Sequence, residues 1–364
     1  MEPENFLNRV LLVADNPVAG AIIRGQLSAA GYDVHWARNR VEAGLLWQPS
    51  YYDVVLLDLR RDPGEGEDFA RRIKATDPGA ADHISRWEGR HQRSCLASGR
   101  FYRRFMPLDD SKFYRATVLE CKAFAHDLWS ARIAPGGPFS FTPGQYATLG
   151  VQGPLRLVER AYSIVSSPYE EQLEFFFELV PRGELTPLLH TLKPGDQLSM
   201  RKSPKGRFVL DAARGPRNHF LVCTVTGIAP FVSYIRTLHR DWKQGKFPNG
   251  HKLYLLNGAS RSWEFGYYEE ISKVAAEAPW LKYVATVSRP WEDNAWKGER
   301  GRVDDLIRKY SDLWGLASEN TTAYLCGHPQ MIENGKGILQ RVGFSKDNMK
   351  EEIYWIPAKA AKTS

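Results

Sequence analysis

Cysteine is scarce in this 364-residue chain, with four residues at Cys95, Cys121, Cys223 and Cys326. They are far apart and share no metal-ligating spacing, which argues against an iron–sulfur cluster or a zinc site and marks them as reduced thiols. A long apolar run is also missing, since no stretch approaches the ~18 residues of a membrane span. The start, Met1-Glu2-Pro3-Glu4-Asn5, lacks the basic and apolar regions of a secretory signal. These absences predict a cytoplasmic protein with no membrane partner. There is no dense basic tract either. The net charge is +7, from 49 Lys and Arg against 42 Asp and Glu. It is uneven: residues 1–80 hold nine basic and twelve acidic residues (−3), leaving 40 against 30 (+10) for residues 81–364. Basic residues scattered through apolar segments rank nucleic acid last and favour a nucleotide or an acidic protein as partner.

The length gives room for two or three domains, each with its own core. Val10 to Val13 and Val54 to Leu57 are unbroken apolar runs ending near Asp15 and Asp58. Runs without alternation predict strands buried on both faces of a parallel sheet. Between them, Pro17 to Ala30 has helical spacing and stops at Gly31, Val34 to Trp36 is a short strand, and residues 39–48 form a second helix. This βαβαβ order resembles the receiver domain of response regulators over residues 6 to about 80. The resemblance implies Asp58 as phosphoacceptor. The chain departs from that pattern at Ala14, where one acid of the metal-binding pair would stand, and has no matching Lys. We therefore expect a truncated docking segment over residues 1–80, whose open sheet edge favours a homodimer. Residues 81–103 read as a basic linker, with a helix at 82–92.

From Phe113 onward, short runs of β-branched and aromatic residues alternate with Pro/Gly turns at Pro135-Gly136-Gly137-Pro138, Pro143-Gly144 and Pro194-Gly195-Asp196. That texture predicts a small antiparallel barrel. Within it, Arg160-Ala161-Tyr162-Ser163 offers an anion clamp, a flat ring and a hydroxyl donor, the set a flavin dinucleotide requires. The same four residues also fit an ordinary strand with a surface arginine. Farther on, His219 to Cys223 is a buried strand leading into Thr226-Gly227-Ile228-Ala229-Pro230 and a helix, the layout of a phosphate cradle. Ser260-Arg261, Ser288-Arg289 and Gly301-Arg302 follow later strands. Several guanidiniums beyond the C-terminal ends of parallel strands suit a 2′-phosphate.

The ordered set Phe-Thr-Pro-Gly-Gln-Tyr (141–146), Arg-Ala-Tyr-Ser (160–163), Gly-Glu-Leu-Thr (183–186), Leu-Lys-Pro-Gly-Asp (192–196), Thr-Gly-Ile-Ala-Pro (226–230), Cys-Gly-His-Pro-Gln-Met (326–331) and Glu-Ile-Tyr-Trp (352–355) resembles the ferredoxin/flavodoxin–NADP reductases of bacteria. The resemblance covers residues 104 to 355. It implies an antiparallel β-barrel FAD domain over 104–212 and an α/β parallel-sheet NADP-binding domain over 213–364, with a C-terminal extension. It implies FAD contacts at Arg160, Ala161, Tyr162, Ser163, Phe176, Leu179, Glu184, Leu185, Thr186, Thr226, Tyr354 and Trp355. It implies NADP contacts at Thr226, Gly227, Ile228, Pro230, Ser260, Arg261, Ser288, Arg289, Arg302 and Gly327, and catalytic positions at Ser163, Cys326 and Glu352. Relatives usually carry Gly or Ala where this chain has Val225. The implied activity is hydride transfer from NADPH to FAD and electron transfer to ferredoxin or flavodoxin. An oxygenase-type or general flavin reductase and a redox-sensing signalling adaptor remain as alternatives.

Overall fold

The computed structural model describes residues 9–29, 32–48, 51–52, 54–58, 84–87, 111–152, 157–180, 183–212 and 214–354. The chain divides into two units, Met1–Pro107 with Gln152–Leu157, and Leu108–Val151 with Val158–Ser364.

The first unit is a parallel sheet of β1 (Arg9–Ala14), β2 (Asp33–Ala37), β3 (Val54–Asp58) and β4 (Ile84–Trp87), in the order β2-β1-β3-β4. The unbroken apolar run of β1 is buried throughout. Leu11 and Val13 pack with Ala37, Ala43, Tyr52 and Val55, while Val10, Leu12 and Ala14 pack with Ile23, Leu27 and Val34. Helices α1 (Pro17–Ala29) and α2 (Arg40–Leu46) supply part of these layers. Asn39 caps α2, its side chain accepting the Glu42 N–H at 2.9 Å.

Strand β4 corrects the sequence reading. Where a helix was expected at 82–92, residues 84–87 are extended and pair with Val55–Asp58. Four residues are too few to reveal a period, and the adjoining strand edge decides their conformation. The edge of β3 is thus taken, and the outer strands are β2 and β4. Asp58 ends β3 in register with Ala14. Its proposed phosphoacceptor role rests on a side chain outside the described residues.

The second unit begins with a curled sheet of β5 (Phe113–Ala123), β6 (Leu128–Ala134), β7 (Tyr146–Gln152), β8 (Leu157–Ser163), β9 (Leu173–Glu178) and β10 (Gln197–Arg201), ordered β8-β7-β10-β5-β6-β9. The registered pairs along β7-β10-β5-β6-β9 are antiparallel. Its two outer strands meet where an antiparallel bridge joins Ile164 to Phe175 and Val165 donates to the Glu174 carbonyl at 2.9 Å. Closure of this kind removes exposed edges.

Strand β9 carries the barrel onto its neighbour. All of Leu173–Phe177 is buried, so neither face of this stretch meets solvent. Leu173, Phe175 and Phe177 enter the barrel core with Trp129, Ile133 and Leu149. Phe176 faces the opposite way, into a core shared with Leu221, Phe231 and Tyr267 of the following domain. Period-two geometry makes one strand serve two cores.

That domain is a parallel sheet of β11 (Asn218–Thr224), β12 (Lys252–Ala259), β13 (Leu281–Val287), β14 (Glu299–Arg300), β15 (Thr321–Gly327) and β16 (Met349–Ile353). The order is β14-β13-β12-β11-β15-β16, with all pairings parallel. Leu221 and Cys223 pack under α4 (Ala229–Lys243) and α5 (Tyr268–Glu277). Phe220 and Val222 pack with Ile307 and Tyr310 of α6 (Ile307–Trp314) and Met331 and Leu339 of α7 (Pro329–Arg341). Helices on both faces make the sheet doubly wound, and strand order reverses between β11 and β15. Such sheets bind ligands beyond the carboxyl ends of the strands at that reversal. Among the described residues, no helix is long and apolar enough to cross a membrane.

Candidate functional site

A cleft of about 1260 Å³ opens at that reversal and runs onto the barrel. Typical small-molecule sites occupy ~300–1,000 Å³, so this one has room for an extended dinucleotide and more. The barrel contributes Tyr146, Arg160 to Ser163, Phe176, Phe177 and the segment from Gly183 to Thr186. The doubly wound domain contributes Thr224 to Thr226, Ser260, Ser288, Arg302, Gly327 and Glu352 to Tyr354.

At one end, β8 delivers its last residues to the cleft. Tyr162 meets Phe177 edge to face, ring centroids 4.9 Å apart, and burial pushes its hydroxyl pKa well up. The ring is therefore a neutral, flat wall. Ser163 is 5% exposed and donates to the Glu352 carboxyl in a close hydrogen bond. Burial raises the Glu352 pKa and the Ser163 hydrogen bond offsets only part of that rise, so this carboxyl keeps a proton at higher pH than an ordinary glutamate. Fully buried Cys326, next to last in β15, stands in register with Glu352. Burial first, and the Glu352 charge second, push its thiol well up, which keeps Cys326 neutral and unreactive. The Tyr354 hydroxyl interacts with Cys326 and Ser163. Hydroxyl, carboxyl, thiol and phenol thus form one proton-holding cluster.

Arg160 stands at the mouth, half exposed, ion-paired with Glu184 and donating to the Glu159 carbonyl at 2.7 Å. Thr186 opens the short helix α3 (Thr186–His190) in chain order between β9 and β10. Its hydroxyl accepts the Val180 N–H at 3.0 Å. Leu185 is buried in the barrel core and touches the cleft as well. Leu179 packs against the barrel core and does not line the cleft. Trp355 lies outside the described residues.

The loop after β11 is a tight 3₁₀ turn, Val225–Ile228. A Cβ on Gly227 would lie 2.6 Å from the Cys326 carbonyl carbon and 2.9 Å from the Gly327 Cα, so the loop rests directly on the end of β15. Ile228 and Pro230 are buried at the start of α4, and Thr226 alone of the predicted loop contacts reaches the cleft with Val225. Val225 has φ +42°, a left-handed conformation that is costly for a β-branched residue. Its side chain packs against two apolar clusters, one around Cys223 and one around Ala259 and Phe265. That packing holds the strain. Gly327, at φ +126°, lies against Thr224, and the Thr224 hydroxyl accepts the His328 N–H at 3.0 Å.

Ser260, Ser288 and Arg302 line the far side of the cleft. Arg302 is held at 3.3 Å by Asp304, itself 2% exposed. Arg261 and Arg289 lie outside the lining, tied to Glu264 and Glu292. Sequence reasoning missed Thr224, Asp304 and His328. The last was legible: a His-Pro pair opening a helix caps it, and the His328 ring accepts the Gln330 N–H at 3.1 Å.

The donor set suits a flavin dinucleotide. Aromatic rings wall one end, a hydroxyl–carboxyl pair stands beside them, and a guanidinium lies at the mouth. The comparisons agree. Residues 116–210 match the model of the oxidoreductase FAD-binding domain family, and residues 221–336 that of the oxidoreductase NAD-binding domain family. A ferredoxin–NADP reductase of Pseudomonas aeruginosa is 32% identical over 247 residues, covering 64% of this chain and 91% of the relative. A reductase component of a naphthalene 1,2-dioxygenase system from Pseudomonas putida is 27% identical, covering 67% of this chain and 70% of the relative. In fold, a ferredoxin–NADP reductase of Neisseria gonorrhoeae, solved with FAD and NADP, superposes with a TM-score of 0.59 at 22% identity, over 67% of this chain and 99% of that one. A barrel that binds FAD, followed by a doubly wound domain that binds a nicotinamide nucleotide, places this chain in the ferredoxin–NADP reductase family of oxidoreductases.

Proposed function

We propose that this chain passes electrons from NADPH to a small acidic one-electron carrier, a ferredoxin or flavodoxin. The observation that carries the reading is the cluster of Ser163, Glu352 and Tyr354 at the junction of the two cofactor domains, on a cleft continuous with the nucleotide loop, with Cys326 buried behind them and outside the lining. Bound FAD would supply the conversion of a two-electron hydride into single electrons. The protein's part is binding, orientation and proton control. Arg160, balanced by Glu184, would meet the pyrophosphate, and Tyr162 would cover the ring system. Ser163 would bond a ring nitrogen while Glu352, with its raised pKa, holds or releases the accompanying proton through that hydroxyl. Neutral Cys326 would shape the nicotinamide pocket without competing as a nucleophile. Ser260, Ser288 and Arg302 would receive the adenosine end, with Arg302 on the 2′-phosphate.

The domain limits we infer are 104–212 for FAD and 213–364 for the nucleotide, with the segment before them, extended past residue 80 to take in β4, as a separate docking segment. The carrier part of the proposal rests on charge. With +10 over residues 81–364, carrier reduction is expected to slow roughly tenfold between ~0.02 and ~0.3 M salt, because screening shortens the reach of surface charges. The check is NADPH-driven cytochrome c reduction at fixed, subsaturating ferredoxin or flavodoxin. A rate indifferent to salt, or one that needs no carrier, would favour a general flavin reductase instead.

A further inference from the structure

Just outside the nucleotide side of the cleft, next to Ser260 in sequence, stands a guanidinium whose partners are already present. Arg261 follows β12 and directs all three guanidinium nitrogens at carboxylates. Its Nε donates to the Glu292 Oε2 at 2.7 Å, its Nη2 makes a closer bond to that same oxygen, and its Nη1 donates to the Glu264 Oε1 at 3.1 Å. Glu292 also draws Arg289, at 3.7 Å. The second oxygen of Glu264 accepts the Ser260 N–H at 2.8 Å. Asp293 accepts the Ser262 N–H at 2.7 Å. Two acids, Glu264 and Glu292, therefore hold the two arginines beside the end of the cleft that Ser260 and Ser288 line, and Asp293 fixes the adjoining turn.

Glu264 lies three residues from Arg261 and is anchored on the Ser260 backbone, so it shapes the loop. Glu292 differs. It sits on a separate 3₁₀ turn, Pro290–Glu292, after β13, its side chain 36% exposed, and its carboxylate holds two donors of a planar fork that matches phosphate equally well. A 2′-phosphate extending from the Ser260 end of the cleft to Arg261 would meet this carboxylate there.

Building on the NADPH reading, we propose that Glu292 is a specificity-determining residue: a resident anion on Arg261 that a 2′-phosphate has to displace, and that narrows the preference for NADPH over NADH. When the nucleotide carries a 2′-phosphate, Arg261 exchanges one anion for another and Glu292 turns toward solvent and Arg289. When it carries a 2′-hydroxyl, the Arg261–Glu292 pair stays closed. Both nucleotides then bind, and the difference between them is smaller than a free arginine would give.

The experiment compares dissociation constants of 2′,5′-ADP and 5′-ADP for the purified full chain, by calorimetry, in wild type, Glu292→Gln and Arg302→Ala. The amide keeps the shape and removes the charge. For Glu292→Gln the ratio of 5′-ADP to 2′,5′-ADP dissociation constants is expected to rise about tenfold, with most of the change in 2′,5′-ADP. An unchanged ratio in Glu292→Gln, alongside a wild-type preference for 2′,5′-ADP that Arg302→Ala abolishes, overturns the role of Glu292 and leaves the NADPH reading standing. Equal affinity for both ligands in all three proteins overturns the two together. A parallel rise in affinity for both ligands overturns the proposal as well, since it would mark a general charge effect.

Discussion

Gly227→Ala is expected to lower kcat/KM for NADPH by about 100-fold or more while flavin binding survives. The single added methyl would lie 2.6 Å from the Cys326 carbonyl carbon and 2.9 Å from the Gly327 Cα. These are backbone atoms of β15, without the freedom of a side-chain tip. Either the turn Val225–Ile228 lifts off the sheet or the end of β15 moves, and both shifts displace Thr226 and Gly327 at the cleft. Misplacing a bound reactant by ~1 Å can cost on the order of 10²-fold. The barrel walls around Tyr162 do not depend on this contact, so flavin absorbance per protein should remain near wild type. Steady-state kinetics with NADPH, together with that absorbance ratio, give the check. A variant with ordinary kcat/KM would mean that the turn does not carry the nucleotide.

The largest loss of stability is expected from Arg236→Met. Arg236, on α4, joins the barrel to the nucleotide domain. Its Nη1 donates to the Glu174 Oε2 of β9 at 2.8 Å, and its Nε and Nη2 donate to the Glu270 carboxylate of α5 at 2.7 and 2.9 Å. The other Glu174 oxygen accepts the Tyr267 hydroxyl at 2.9 Å. Glu174 is 4% exposed. Burial alone would raise its pKa, but the Arg236 guanidinium and its hydrogen bond, with help from Tyr267 and Arg132, bring it below the ordinary value. Removing one member of such a buried pair typically costs ~3–5 kcal/mol, because the remaining charge is left in a poor solvent. Arg132, 3.5 Å from Glu174, compensates in part.

The pH dependence separates this mechanism from simple loss of packing. In the wild type the Glu174 pKa is depressed, so its contribution is present above the unfolded value of about 4.3 and fades as pH falls. In Arg236→Met burial prevails and the pKa rises. The variant is then best off with Glu174 protonated, and loses stability as pH climbs through the raised value. Urea unfolding should therefore show a gap of ~3–5 kcal/mol near pH 8 that narrows toward about pH 4.5. A gap below ~1 kcal/mol, or one equal at both pH values, would remove the network as the device that fixes the two domains.

The sequence reveals the parts of this fold where local pattern and burial agree. His219 to Cys223 and Ala323 to Gly327 are continuous apolar runs because helices cover both faces of β11 and β15. The Pro/Gly turns mark the barrel strands, and Arg160 to Ser163 reach the cleft because β8 ends there. Other features depend on distant partners. Residues 84–87 become a strand only because β3 offers an edge. Glu174 reads as an ordinary strand glutamate until Arg236, 62 residues later, meets it. Arg261 looks like a phosphate ligand in sequence, and the fold brings Glu292 to it from 31 residues away. Val225 shows in sequence only as a departure from the Gly or Ala of relatives, and its left-handed backbone and its packing on two sides become visible in the fold.

The most direct measurement is the visible spectrum of the purified full-length chain, taken anaerobically during titration with NADPH and, separately, with NADH. The predicted result is a yellow flavin band that bleaches with NADPH at lower concentration than with NADH. A colourless protein that cannot be reconstituted with FAD, or a flavin band that neither nucleotide bleaches, would contradict the account.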